Sequence, residues 1–120
     1  MARLTKETIQ ALKSLTEVQE KMEDLKREAT ASLSVLLEEQ FNVRLKSLTI
    51  NLEFLSEAEA SVSEEWHLED SNGKDFTVLW TEEGIETAYE ISWSQFNLIR
   101  SKVLAYLHNT GLTKLFIETT

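Results

Sequence analysis

Glu65, His67 and Glu69 alternate along one stretch of chain, so in a β-strand all three side chains would project from the same face. One nitrogen and two carboxylates form an N/O set of the kind that holds a divalent metal. Neighbours on one strand face stand about 6.8 Å apart, so the three would strain to reach a single ion without help from an adjacent strand. No metal site is assigned on this spacing. The second histidine, His108, falls near the end of a helical pattern, where a partial positive charge suits the helix dipole.

Other chemistry finds little footing. Carboxylates are abundant, but acid catalysis by a carboxylate pair needs a cleft with one carboxyl in apolar surroundings, and acids on an open sheet face offer neither. Serines are numerous without a nucleophile elbow. Of the three glycines, two are committed to hairpins and one to a helix end, so no phosphate-cradling loop remains. No catalytic residue and no cofactor is expected, and the chain is not read as an enzyme.

The element that must position everything else is Thr5 to about Gln40. Its apolar residues Ile9, Leu12, Leu15, Val18, Met22, Leu25, Ala29, Leu33 and Leu36 recur at three- and four-residue steps, which lines one face of a helix. Some 36 residues of helix would run about 54 Å, far more than a compact domain of this size spans. Part of the stripe must find cover outside its own domain. From Ala11 through Leu15, Val18, Met22 and Leu25 to Ala29 the steps alternate four and three, a short heptad seam. Leu15, Val18, Met22 and Leu25 are therefore the candidate oligomerisation residues, and a homodimer is the expected state. Thr5 is positioned as N-cap, with Leu4 and Ile9 as a hydrophobic staple. The small polar run Thr30, Ala31, Ser32, Ser34 predicts a bend or break before Val35–Gln40.

Residues 41–55 carry both periods. Leu48, Ile50, Leu52 and Phe54 alternate as in a strand, while Phe41, Leu45, Leu48, Leu52 and Leu55 meet helical spacing; the β-prone Thr49, Ile50 and Phe54 favour a strand from about Arg44 to Leu55. Next, Val62, Trp66 and Leu68 share one strand face, and Phe76, Val78 and Trp80 share another. A three-residue loop, Ser71–Gly73, sets Leu68 against Phe76 and Trp66 against Val78, apolar against apolar, with Gly73 at the left-handed loop position. For the following turn, a two-residue Glu83-Gly84 loop pairs Trp80 with Thr87, Val78 with Tyr89 and Phe76 with Ile91. Ser92 with Gln95 makes a capping box for a second helix beginning at Trp93, whose apolar face is Phe96, Ile99, Val103 and Leu107 and which ends at Asn109-Thr110-Gly111. Leu112–Ile117 reads as a short final strand or a packed tail. The expected fold is one α+β domain over residues 1–120: the long helix at 5–40, then a body at 43–118 holding a four-stranded antiparallel meander with the second helix packed on one sheet face.

Charge then separates two binding chemistries. The net charge is −9, but residues 53–90 hold twelve acids and the single base Lys74. The outer sheet face would present Glu65, Glu69, Asp75, Glu86 and Glu90, a single-sign surface that suits a basic partner protein and disfavours nucleic acid and anionic membrane. The leading expectation is thus a small acidic interaction module, an inhibitor or adaptor able to occupy a nucleic-acid-binding site of its partner. The alternative is a small-ligand module with an aromatic pocket formed by Trp66, Trp80, Trp93 and Arg100 at a subunit interface. An analogy of size and charge, carried by no residue motif, is to small acidic α+β dimers of the secretion-chaperone kind. The absence of cysteine fits a reducing compartment. No apolar run reaches the roughly 18 residues that span a bilayer, and the first residues lack the apolar core of a signal peptide, so a cytoplasmic location is expected.

Overall fold

The computed structural model describes residues 5–119. The chain runs α1 (Lys6–Phe41), β1 (Val43–Phe54), β2 (Ala60–Asp70), β3 (Asp75–Thr81), β4 (Gly84–Glu86), α2 (Trp93–Thr110), a 3-10 turn (Thr113–Phe116) and β5 (Ile117–Thr119). This is the α+β architecture expected, with a sheet ordered β4-β3-β2-β1-β5. The first four strands are a meander of antiparallel neighbours, and β5 lies parallel to β1 at the far edge, Ile50 opposite Ile117.

Both helices begin where their caps require. Thr5 Oγ1 accepts from the Thr8 N–H at 3.1 Å; its staple partner Leu4 lies outside the described residues. At α2, Ser92 Oγ accepts from the Gln95 N–H while Gln95 Oε1 accepts from the Ser92 N–H, each at 3.1 Å, satisfying two end donors at once. Gly111 closes α2 in the left-handed conformation, φ 71°, and the Leu112 N–H reaches back to the Leu107 carbonyl at 2.9 Å.

The expected break in α1 does not occur: the helix is continuous from Lys6 to Phe41. Its small polar residues have local or tertiary employment. Thr30 Oγ1 donates to the Lys26 carbonyl at 2.8 Å. Ser34, 4% exposed, donates to the Leu45 carbonyl at 2.7 Å and accepts from the Leu45 N–H at 3.1 Å. These bonds serve the point where β1 slips register between Leu45 and Ser47, a bulge whose freed backbone groups would otherwise be buried unpaired at about 1–3 kcal/mol each. The bulge also explains the double periodicity of 41–55. Burial falls on Val43 and Leu45, then on Leu48 and Ile50, and the three-residue step imitates a helix.

The core lies between the inner sheet face and the two helices. Leu33 and Leu37 of α1 and Phe96, Ile99, Val103 and Leu107 of α2 close over Leu48, Trp66, Leu68 and Val78. Trp66 meets Phe96 edge to face, ring centroids 5.4 Å apart, the geometry that aromatic quadrupoles favour. The first hairpin has the expected register, Leu68 opposite Phe76 and Trp66 opposite Val78, with Gly73 at φ 79°.

The second hairpin corrects the sequence expectation. Its loop is Glu82-Glu83, and Trp80 pairs with Ile85 rather than Thr87, a slip of two residues that keeps the faces but shortens β4 to three residues. Thr81 Oγ1 donates to the Gly84 carbonyl at 3.2 Å and accepts from the Glu83 N–H at 3.3 Å, clasping the tight turn. The Trp93 ring packs so near Gly84 that an added Cβ would stand 3.2 Å from it. Tyr89, expected in the strand opposite Val78, instead lays its ring flat on Phe76 at 3.9 Å. Stacking covers the tyrosine without a ladder.

Candidate functional site

Three places hold the residues that the sequence singled out. The first is the projecting half of α1. Every residue from Thr5 to Leu25 is exposed, including Ile9, Leu12, Leu15, Val18, Met22 and Leu25. Leu15, at 59% exposure, has no cover from its own body; Ala29, next in the seam after Leu25, is 3% exposed and already in the core. The helix thus leaves the domain as an arm. The molecule extends 57 Å with a radius of gyration of 17.8 Å, against about 13–14 Å for a compact chain of this length. Arg27 pairs with Asp24 at 3.1 Å on the arm's outer side, an exposed contact of small energetic weight.

The second place is the outer sheet face, where β2 to β4 align Glu65, Leu79 and Glu86 in one cross-strand row, His67 with Thr77 in the next and Glu69 with Asp75 in the third. His67 Nε2 stands 2.9 Å from Glu65 Oε1 and its Nδ1 3.1 Å from Thr77 Oγ1. Glu69 is drawn away from them. Lys46, displaced onto this face at the β1 bulge, places its ammonium 3.2 Å from both Glu69 and Asp75, and those two hydrogen-bonded carboxylates raise the lysine's pKa above its ordinary value. Among the described residues no three His, Asp or Glu side chains converge on a common metal position. Glu90, expected on this face, falls in the bend after β4 and outside the sheet. The Glu69–Asp75 end is therefore half neutralised from within by one lysine, and among the described residues no lysine or arginine pairs with the Glu65–Glu86 end.

At that open end lies a cleft of about 480 Å³, with Trp80, Leu79 and Ile85 as apolar wall and Glu65, Glu83 and Glu86 among its carboxylates. Of the four residues assigned to an aromatic pocket, Trp80 lines this cleft; Trp66 is sealed in the core, Trp93 is exposed at the start of α2, and Arg100 is turned inward.

Arg100 defines the third place, and with it a residue that sequence reasoning missed. Glu64 lies on the inner face of β2 between Val62 and Trp66 and is 3% exposed. Arg100 from α2 grips it with both ends of the guanidinium, Nε to Oε1 at 2.7 Å and NH2 to Oε2 at 2.6 Å, while Trp66 Nε1 donates to Oε1 at 2.9 Å. The guanidinium plane also sits 3.6 Å from the Trp80 ring centroid, a cation–π stack. The signal was present in the sequence: an acid in the apolar alternation Val62, Glu64, Trp66, Leu68 requires a buried partner, and Arg100 occupies the α2 face between Phe96 and Val103. Bidentate pairing plus an indole donor satisfies both carboxylate oxygens, so the cluster locks β2 to α2 and leaves little free valence for a ligand.

A smaller polar lock gives a pH dependence. Asp70 accepts from the backbone N–H groups of Lys74 and Asn72 and from the Tyr89 hydroxyl. The Lys74 N–H, foremost, holds its carboxyl below the ordinary 3.8, and the bond to Asp70 holds the Tyr89 phenol above the ordinary 10.0. A depressed carboxyl stabilises the fold above its unfolded value and loses that contribution as pH falls through the folded one; a raised phenol does the reverse at the alkaline end. Stability measured by urea denaturation is expected to be level between about pH 4 and 10 as far as this pair contributes, and Tyr89→Phe is expected to remove its part of the alkaline decline while preserving the Phe76 stack.

The fold and these sites define the chain as an α+β protein with a projecting helical arm, a class that describes architecture alone. No family model, no curated protein and no solved structure matches it. No helix among the described residues is long and apolar enough to cross a membrane.

Proposed function

We propose that this protein is an acidic interaction module that self-associates through α1 and binds a basic surface on a partner protein, acting by occupation and not by catalysis. The observation that carries the reading is the arm: six large apolar side chains stand exposed along one helix that its own domain covers only from Lys26 onward, where the ammonium lies over the Phe116 ring. An apolar stripe of that length invites a protein partner. The partner face is the open end of the sheet, where Glu65 and Glu86 flank Leu79 without a lysine or arginine between them. The adjoining cleft has the chemistry to take an arginine or lysine side chain, carboxylates for its charge and Trp80 for its stem. A reducing compartment such as the cytoplasm suits a chain without cysteine.

Charge reversal tests the acidic face. Glu65→Lys with Glu86→Lys changes two positions on the outer face, away from the core, and the variant is expected to lose the basic proteins that the wild type captures from lysate at low salt and releases at moderate salt. Retention of the same proteins by both forms would refute that face as the contact.

A further inference from the structure

We infer that two copies pair their arms antiparallel, Leu25 of each chain lying against the stretch 8–15 of the other; the inference rests on the self-association just proposed and adds its geometry. Three observations oppose the parallel alternative. First, the seam is free only up to Leu25. At Ala29 the same side of the helix is buried in its own body, so a rigid parallel partner, continuous to Phe41, would run into that body one turn beyond the contact. An antiparallel partner presents its N-terminal tip there instead.

Second, the heptad with Leu15 and Met22 at a and Val18 and Leu25 at d puts Lys21 at g and Lys26 at e. In a parallel pair g of one helix faces the following e of the other, so symmetry would bring two Lys21–Lys26 contacts to the flanks of a three-heptad seam. Antiparallel pairing sets g beside g and e beside e and removes both.

Third, residues 43–120 hold thirteen acids and six bases, a net charge of −7. Parallel arms would set two such bodies side by side at one end, within reach of each other's charge; antiparallel arms place them at opposite ends. The occupant is a second copy because the free segment, Thr5–Leu25, presents six large apolar side chains on one helix face, and a heptad seam is complementary to itself.

The chain has no cysteine, so single cysteines report pairing cleanly. A disulfide needs Cα atoms within about 7 Å. Under antiparallel pairing Leu25→Cys stands at least ten helical positions, about 15 Å along the axis, from its own copy. The full-length Leu25→Cys protein is therefore expected not to link to itself under mild oxidation, and to link when mixed with Leu15→Cys or with Thr8→Cys, whichever the register sets opposite. Self-linked Leu25→Cys, or a dimer in which neither mixture links, would overturn the antiparallel arrangement and leave self-association standing. Sedimentation of the wild-type protein as a monomer at micromolar concentration would overturn both.

Discussion

Replacing Arg100 by alanine is expected to cost the fold about 3–5 kcal/mol, lowering the thermal midpoint by on the order of 10 °C or more for a domain of this size. The reason is what stays behind. Glu64 is 3% exposed, and without the guanidinium its carboxylate keeps a single side-chain donor, Trp66 Nε1. A buried charge that loses its counter-charge carries the full desolvation penalty, whereas an intact buried pair is often close to neutral against an apolar replacement. Arg100→Lys is expected to fall between, since an ammonium restores charge but neither the two-pronged grip nor the flat stack on Trp80. Pairing Arg100→Met with Glu64→Gln removes the orphaned charge while retaining an acceptor for Trp66, and is expected to be less costly than Arg100→Ala alone. Thermal unfolding followed by tryptophan fluorescence checks the series; a double variant less stable than the single one would contradict this account.

The second large effect concerns assembly and leaves the body intact. Leu15→Lys with Leu25→Lys places four like charges, two per chain, into the seam of a paired arm. Each leucine is about half exposed in the single chain, so pairing gains on the order of 1 kcal/mol per side chain, and losing four such contributions weakens association about a thousandfold. The variant is expected to sediment as a monomer where the wild type is a dimer. Its unfolding midpoint, read at a concentration where the wild type is also monomeric, should differ little, because both side chains are exposed and neither belongs to the core. A variant that unfolds early in that measurement would mean that the arm stabilises its own domain.

Much of the fold was legible because short-range rules govern it. The Thr5 cap, the Ser92–Gln95 capping box, the left-handed Gly111 and the register of the 71–73 loop each depend on residues within a few positions of one another, so local chemistry has few alternatives. The outer face of Glu65, Glu69, Asp75 and Glu86 followed from the period of two alone.

Elsewhere the deciding contact came from a distant part of the chain. The polar run at 30–34 weakens a helix considered alone, yet Ser34 bonds Leu45, eleven residues on, and α1 continues through it. The second hairpin could pair in either of two registers with identical faces, and the stack of Tyr89 on Phe76 and the closeness of Trp93 to Gly84 select the shorter one. Lys46 reaches the acids of β2 and β3 only because the bulge reorients β1. By itself the sequence determined the caps, the first hairpin, the two sheet faces and the overlong amphipathic helix, since each is set by spacing along the chain. The tertiary structure decided where the body's cover of that helix ends, which acids keep a counter-charge and how Glu64 is satisfied, because burial and ion pairing depend on which surfaces meet in space.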